Sequence, residues 1–258
     1  MNLAVIPARG GSKRIPRKNI LPFAGRPMLA YAIDGARQSG LFDRIVVSTD
    51  DAEIAAVARA WGAEVPFMRP AELANDHTGT AEVIAHAVTA LAETGAHFDA
   101  VCCIYPGVPL LRSQDLVAAL AMLDPHRAEY VFPVAPYPAV IQRALRRLED
   151  GRTTPFHPEF AQYRSQDLEP AYHDAGQFYW AAPDTWARCL SVHANARTLL
   201  LPAWRVVDID TPDDWARAEA MYRVLTAAPM SAIAATPAGS DLPAAVVDAA
   251  RGRSRVPA

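Results

Sequence analysis

The chain predicts an α/β fold whose mostly parallel sheet is covered by helices on both faces. Three observations predict it. Short, continuous apolar runs alternate with amphipathic stretches from Leu3 to Val134. The runs lack polar alternation, as strands buried on both faces require. Several amphipathic stretches stop at a glycine, a common helix end. Half of the 258 residues are hydrophobic (51%), enough for one large core.

Leu3–Ile6 reads as the first strand. Pro27 to Ser39 reads as a helix, with proline in the first turn and Gly40 past the end. Arg44–Ser48 is rich in β-branched residues and reads as a strand. Asp51 to Trp61 reads as a helix stopped by Gly62, with Asp50 as its expected cap, and Glu64–Phe67 as a short strand. Thr80 to Thr94 reads as a helix stopped by Gly95, Ala100–Ile104 as a strand, Ser113 to Leu123 as a helix and Tyr130–Val134 as a strand. From Pro136 to about Pro170 the chain turns polar, proline-rich and aromatic, an excursion that suits a lid or an arm to a second subunit. Gln177–Trp180 returns as a strand, Pro183 to Leu190 as a short helix and Trp204–Ile209 as a strand. Thr211-Pro-Asp-Asp214 is a helix start, with threonine as cap and acids at the positive end, and that helix runs to about Leu225. The expected organisation is one domain over residues 1–226, with an arm over about 136–175 and a disordered tail over 227–258.

Composition narrows the function. A net charge of −3 and a pI near 6.2 argue against a dedicated nucleic-acid binder. The three cysteines make no C-x-x-C spacing, and Cys102 and Cys103 lie in an apolar run as buried thiols. The opening apolar stretch meets Arg9 too soon for a signal peptide, and no run reaches the length of a membrane span. A cytoplasmic protein is expected.

Against this acidic balance stands one loop. Directly after the first strand come Arg9, Gly10, Gly11, Ser12, Lys13, Arg14, Arg17, Lys18 and Asn19, with five cations within ten residues. Glycines that permit φ > 0 and fixed cations suit a polyphosphate. The alternatives are a solvated basic loop or a nucleic-acid patch. In parallel sheets ligands bind at the carboxyl ends of strands, where this loop falls.

Three further constellations carry chemistry. Asp208 and Asp210 alternate with Val207 and Ile209, which on a strand sets both carboxylates on one face. A divalent ion, Mg²⁺ by its preference for hard oxygen ligands, would relieve their repulsion; the alternative is that one of them caps the next helix. Arg164, Gln166, Tyr172, Asp174 and their neighbours up to Trp180 are dense in hydrogen-bonding and aromatic groups, which suits a polyhydroxylated anion or a polar subunit interface. Arg69 to Thr80 forms a second loop at a strand end; it either reads a base edge or starts a helix, with Asp76 or Thr78 as cap.

Together, IPARGGSKRIPRKN (6–19), IVVSTDD (45–51), VPFMRPAELANDHTGT (65–80) and VDIDTPDDW (207–215) resemble the acylneuraminate (CMP-sialic acid synthetase) cytidylyltransferase family over roughly residues 1–225. CCIYPGVPLL (102–111), PVAPYPAVIQRAL (133–145) and RSQDLEPAYHDAGQFYW (164–180) resemble its pseudaminic acid branch. Gly107 departs from the branch, where a small hydroxyl residue is usual. The resemblance implies the nucleotide-diphospho-sugar transferase fold, a three-layer Rossmann-like sandwich with a dimerisation arm. It implies a homodimer and the reaction of CTP with an acidic nine-carbon sugar to give the CMP-sugar and pyrophosphate. Alternatives are activation of sialate, legionaminate or 3-deoxy-manno-octulosonate, or an inactive nucleotide sensor. It places Arg9, Ser12, Lys13 and Lys18 on the triphosphate and Arg69 and Thr80 around the cytosine, with Gly10, Gly11, Asn19 and Asp76 also expected to bind the nucleotide. Tyr105, Gln142, Arg143, Arg164, Gln166, Tyr172, Asp174 and Phe178 would shape the sugar site, Asp208 and Asp210 would hold Mg²⁺, and Arg9, Lys18 and Asp210 would carry catalysis.

Overall fold

A computed structural model describes residues 1–227 other than 125, 128 and 195. The chain opens with β1 (Asn2–Pro7), a short hairpin of β2 (Pro22–Phe23) and β3 (Arg26–Pro27), and helix α1 (Met28–Ser39). Then come β4 (Arg44–Ser48), α2 (Ala52–Ala60), α3 (Thr80–Ala92), β5 (Ala100–Ile104), α4 (Ser113–Leu120) and β6 (Tyr130–Pro136). The arm carries the isolated hairpin of β7 (Leu145–Arg147) and β8 (Thr153–Pro155) and returns through β9 (Tyr172–Asp174). β10 (Phe178–Ala181), α5 (Pro183–Ala187), β11 (Ala196–Leu200) and α6 (Pro212–Ala227) complete the described chain.

Seven strands form one sheet in the order β11-β6-β10-β5-β1-β4, with β9 also paired to β6. β1 is parallel to β4 and β5, and β11 is parallel to β6. β10 runs against both β5 and β6, and β9 against β6. Five strands therefore share one direction. Their carboxyl ends define the edge where β1 releases the basic loop and β5 releases Tyr105.

The central strands β1 and β5 are almost wholly apolar because alternate residues enter two different cores. Ala4, Ile6, Cys102 and Ile104 meet Leu29, Ile33, Ile54 and Leu116 of α1, α2 and α4 on one face. Leu3, Val5, Val101 and Cys103 meet Ile84, Leu91 and Trp186 of α3 and α5 on the other. A third cluster sets α6 against the β2–β3 hairpin, where Phe23 meets Tyr31, Trp215 and Tyr222 edge-on. Contacts divide the chain into Met1–Tyr222 and Arg223–Ala258. The expected boundary at 226 thus falls inside α6, and the expected tail lies outside the described residues apart from Ala227, which ends that helix.

Several expectations change. Glu64–Phe67 is no strand: Glu64 makes a single parallel bridge to Val46. Trp204–Ile209 is no strand either; a 3₁₀ turn occupies Ala203–Arg205, and the place beside β6 belongs to β11. β11 escapes a search for apolar runs because an edge strand packs on one side and tolerates Arg197 and Thr198. Asp51, rather than Asp50, caps α2 by accepting the amides of Glu53 and Ile54. Gly79, rather than Asp76 or Thr78, precedes α3, and its amide donates to Glu82. Thr211 and Asp214 cap α6 as expected, each accepting the other's amide at 3.2 and 2.9 Å.

The segment carrying Asp208 and Asp210 is anchored to the body by Arg205. Its guanidinium makes a bidentate pair with Asp115 of α4 at 2.7 and 3.2 Å, both groups largely buried, and its carbonyl accepts from Gln177. Removing one member leaves an uncompensated buried charge, which costs about 3–5 kcal/mol. Asp115→Ala is therefore expected to lower unfolding free energy by about 3 kcal/mol, read as the shift of the urea midpoint at constant m-value; an unchanged midpoint would remove the pair from the anchoring role.

Candidate nucleotide site at the strand ends

β1 leaves the sheet at Pro7, and the next amide, Ala8, still donates to Ser48 at 2.9 Å. The chain then folds over the sheet edge. The Gly10 amide donates to the Asp50 carboxylate at 3.0 Å, and Ser12 N–H closes a tight turn on Gly10 O at 3.0 Å. The Asn19 side chain returns to Arg9 O at 3.0 Å, which closes the loop on itself. Neither Gly10 nor Gly11 uses a left-handed φ; that conformation falls on Arg17 (φ +58°) and Ala24 (φ +45°). Gly10 is needed for a different reason, since a Cβ there would lie 2.7 Å from an Asp51 carboxylate oxygen.

The loop walls a cavity of about 390 Å³ with Arg9, Lys13, Arg14 and Lys18. Pro7, Ser12, Asn19, Asp76, Pro106 and Asp210 complete its lining. Each cation is tied to a carboxylate. Asp76 takes Arg9 at 2.6 Å and also Lys13, which together hold its carboxyl down to about 2, Lys13 contributing most. Asp210 takes Arg14 at 2.7 Å and Lys18 at 3.3 Å, and Lys18 also donates to Ile209 O at 2.6 Å. Among the lining residues four cations stand against two carboxylates, an excess of two positive charges. Asn19 Oδ1 is buried there with no partner among the described residues. Arg17 turns away and pairs with Asp51 and Glu53.

Asp208 and Asp210 do not lie on a strand, so period-two alternation is not what relates them. Asp210 lines the cavity, while Asp208 has no hydrogen bond or ion pair among the described residues. They still act on each other: partial desolvation, followed by the charge of Asp210, raises the Asp208 carboxyl above its usual range. Among the described residues no cluster of three or more His, Cys, Asp or Glu side chains forms.

Arg69 does not line the cavity. It is buried against the end of β4, where its guanidinium donates to Ser48 O at 2.5 Å and Ser48 Oγ at 3.1 Å; burial lowers its pKa. Thr80 and Tyr105 come together, sharing a hydroxyl hydrogen bond of 2.9 Å. Tyr105 donates its amide to Gln177 O and meets Tyr179 edge-on, and burial pushes its phenol up. Two sugar-site expectations meet internal obligations. Phe178 is fully buried with Trp180 in the core, because β10 points both side chains to the same face. Asp174 spends its carboxylate on Gly176 N–H, Tyr179 O–H and His193, each at 2.8 Å.

The remaining sugar-site candidates gather on the arm. Gln142 donates to Glu169 O at 2.8 Å, Arg143 to Ser165 Oγ at 3.4 Å and Arg164 to the Gln166 side-chain oxygen, while Tyr172 is half exposed. Gln166 lines a second cavity of about 350 Å³ with Tyr137, Leu168 and Ala171. Within one chain these residues do not line the basic cavity. Arg14 is the cavity cation absent from the sequence-based site; its place among the loop's cations was the available signal. Nothing in the spacing of Asp50 and Asp51 revealed that they hold the loop.

Residues 3–176 match the family model described as cytidylyltransferase. The chain is 39% identical over 224 residues to the pseudaminic acid cytidylyltransferase of Campylobacter jejuni subsp. jejuni serotype O:23/36, a match covering 86% of this chain and 97% of that one. It is 33% identical over 230 residues to the CMP-N,N'-diacetyllegionaminic acid synthase of Legionella pneumophila subsp. pneumophila, covering 86% and 96%. Its fold is similar to that of the CMP:2-keto-3-deoxy-manno-octonic acid synthetase solved in complex with CTP, with a TM-score of 0.65, 18% identity, and coverage of 87% of this chain and 99% of that one. The architecture is thus the nucleotide-diphospho-sugar transferase fold. With a sequence match running through the basic loop and the sheet that carries it, the chain is a nucleotidyltransferase that belongs to the cytidylyltransferase family.

Proposed function

We propose that the protein transfers the cytidylyl group of CTP to pseudaminate, releasing pyrophosphate. The observation that carries this reading is the basic cavity at the β1 edge, in a chain 39% identical to a relative named for that reaction. Arg9, Lys13, Arg14 and Lys18 exchange their carboxylate partners for phosphate oxygens. The anomeric hydroxyl of the sugar attacks the α-phosphorus, and the bond to the pyrophosphate oxygen breaks. Charge grows on the leaving phosphates, where cations fixed in advance stabilise it without reorganising.

Asp208 and Asp210 are the residues that would hold Mg²⁺. They fit: both are hard oxygen donors, Asp210 lines the cavity, and the raised Asp208 carboxyl marks a charge that a cation would relieve. Two carboxylates, with no third such ligand clustered among the described residues, match an ion that completes its shell with water and substrate phosphates. When bound there, the ion would neutralise phosphate charge and lower the pKa of the attacking hydroxyl.

The arm supports a homodimer. Tyr137, Ile141, Leu145, Phe156, Tyr163 and Tyr172 are each 43–59% exposed, an apolar surface better suited to a second subunit than to water. In this reading the arm residues Gln142, Arg143, Arg164 and Gln166 meet the acceptor sugar in the dimer. No described helix is long and apolar enough to cross a membrane. A cytoplasmic location is proposed from the nucleotide substrate alone.

The test is pyrophosphate release with CTP across pseudaminate, legionaminate and N-acetylneuraminate. The expected result is kcat/KM highest for pseudaminate; equal use of all three would sink the specificity while leaving the cytidylyl transfer. Arg9→Ala is expected to lower kcat by roughly 10²–10³, the loss seen when one transition-state donor is removed; near wild-type turnover would take Arg9 out of the site. Asp208→Asn is expected to hold or raise the metal-free melting temperature, because the fold bears that charge at a cost, and to weaken the Mg²⁺ dependence of turnover. A lowered melting temperature with unchanged Mg²⁺ dependence would contradict the metal assignment.

A further inference from the structure

The proposed chemistry leaves one cation of the basic loop without a task. Arg17 stands between Arg14 and Lys18 yet points away from the cavity. It reaches Asp51, which receives both terminal nitrogens, one at 3.1 Å, and Glu53 on the first turn of α2. To do so it adopts φ +58°, a conformation uncommon for a residue with a long side chain. Three backbone bonds run across the turn: Lys18 N–H donates to Ile15 O at 3.1 Å, and Ile20 and Leu21 both donate to Arg17 O at 3.0 Å.

Asp51 is the other half of the device. It accepts the amides of Glu53 and Ile54 at 2.9 and 3.0 Å, so its carboxylate is oriented by the helix before Arg17 arrives. The Arg17 contact and these amides hold its carboxyl down to about 2. On the other side Gly10 lies so near that a Cβ would come within 2.7 Å of Asp51 Oδ2, and the adjacent Asp50 holds the Gly10 amide. One short segment at the end of β4 therefore grips the basic loop twice, at its start through Gly10 and at its turn through Arg17.

We propose that Asp51 and Arg17 are positioning residues for the triphosphate. Their ion pair sets the turn that aims Arg14 and Lys18 into the cavity. The inference rests on the cavity binding a polyphosphate, as in the proposed function. It requires the left-handed turn at Arg17 to be maintained by the ion pair rather than by local preference, as strained positions are when their surroundings over-determine them.

Two variants separate positioning from stability. Asp51→Asn keeps a side chain that caps helices equally well but loses the charge. Arg17→Gly removes the anchor while relieving the left-handed backbone. Binding of inorganic tripolyphosphate, measured by calorimetry, reports the loop independently of the acceptor sugar and of the base. The expected result, read well below the melting temperature of each variant, is Kd about tenfold weaker in each, the range of one charge-assisted contact, while the melting temperature falls modestly, since the pair that holds the Asp51 carboxyl down also stabilises the fold. The double variant should be no weaker than either single one, since the two residues act as a unit. With CTP and pseudaminate, KM for CTP should rise and KM for the sugar should stay. Wild-type affinity in both variants, or a loss of melting temperature with unchanged Kd, would overturn the proposal. A wild-type protein that binds tripolyphosphate but does not turn over CTP would instead overturn the proposed function.

Discussion

The structure depends on holding four positive side chains together on one short loop at the edge of a parallel sheet. Like charges so close repel, and each must be held where a ligand will want it. Two carboxylates from distant parts of the chain do this. Asp76 comes from the loop before α3 and neutralises Arg9 and Lys13; Asp210 comes from the segment before α6 and neutralises Arg14 and Lys18. The remaining elements serve that arrangement. The sheet sets where the loop begins, the Arg205–Asp115 pair anchors the segment that delivers Asp210, and the Asp51–Arg17 pair fixes the turn. The excess of two positive charges is what a polyphosphate would answer.

Much of this was legible in the sequence, for physical reasons. Strands buried on both faces must be continuously apolar, so β1, β4, β5 and β6 announced themselves, and helices between them ended at Gly40, Gly62 and Gly95, each with positive φ. What stayed hidden were elements stabilised by their neighbours. β11 is an edge strand with polar residues, β9 is three residues long, and the direction of β10 cannot be read from its four buried residues. Val206–Ile209 has the composition of a strand, but the edge it could have joined is taken by β11.

The site divides in the same way. The basic loop was visible because charge clustering is a sequence property. Which cation faces inward was not, because that depends on the turn at Arg17 and on a partner 34 positions away. The glycines were noticed for their freedom in φ, whereas Gly10 matters for the volume it leaves beside Asp51. Phe178 and Asp174 sit in a segment rich in binding groups, but burial and internal hydrogen bonds claim their side chains. Gln142, Arg143, Arg164 and Gln166 lie on the arm and do not line the basic cavity of their own chain. In the proposed dimer a second subunit would bring these residues to the site, an arrangement that one chain's spacing does not encode.

The central claim is that the loop's cations exchange Asp76 and Asp210 for the phosphates of the nucleotide. The most direct test compares equilibrium binding of CTP and CMP to the wild-type protein without acceptor sugar, over a range of salt concentrations. The claim predicts that CTP binds at least about tenfold more tightly than CMP, since the β- and γ-phosphates gain charge-assisted contacts, and that this advantage shrinks as salt rises. Equal affinity for the two nucleotides at low salt would contradict it.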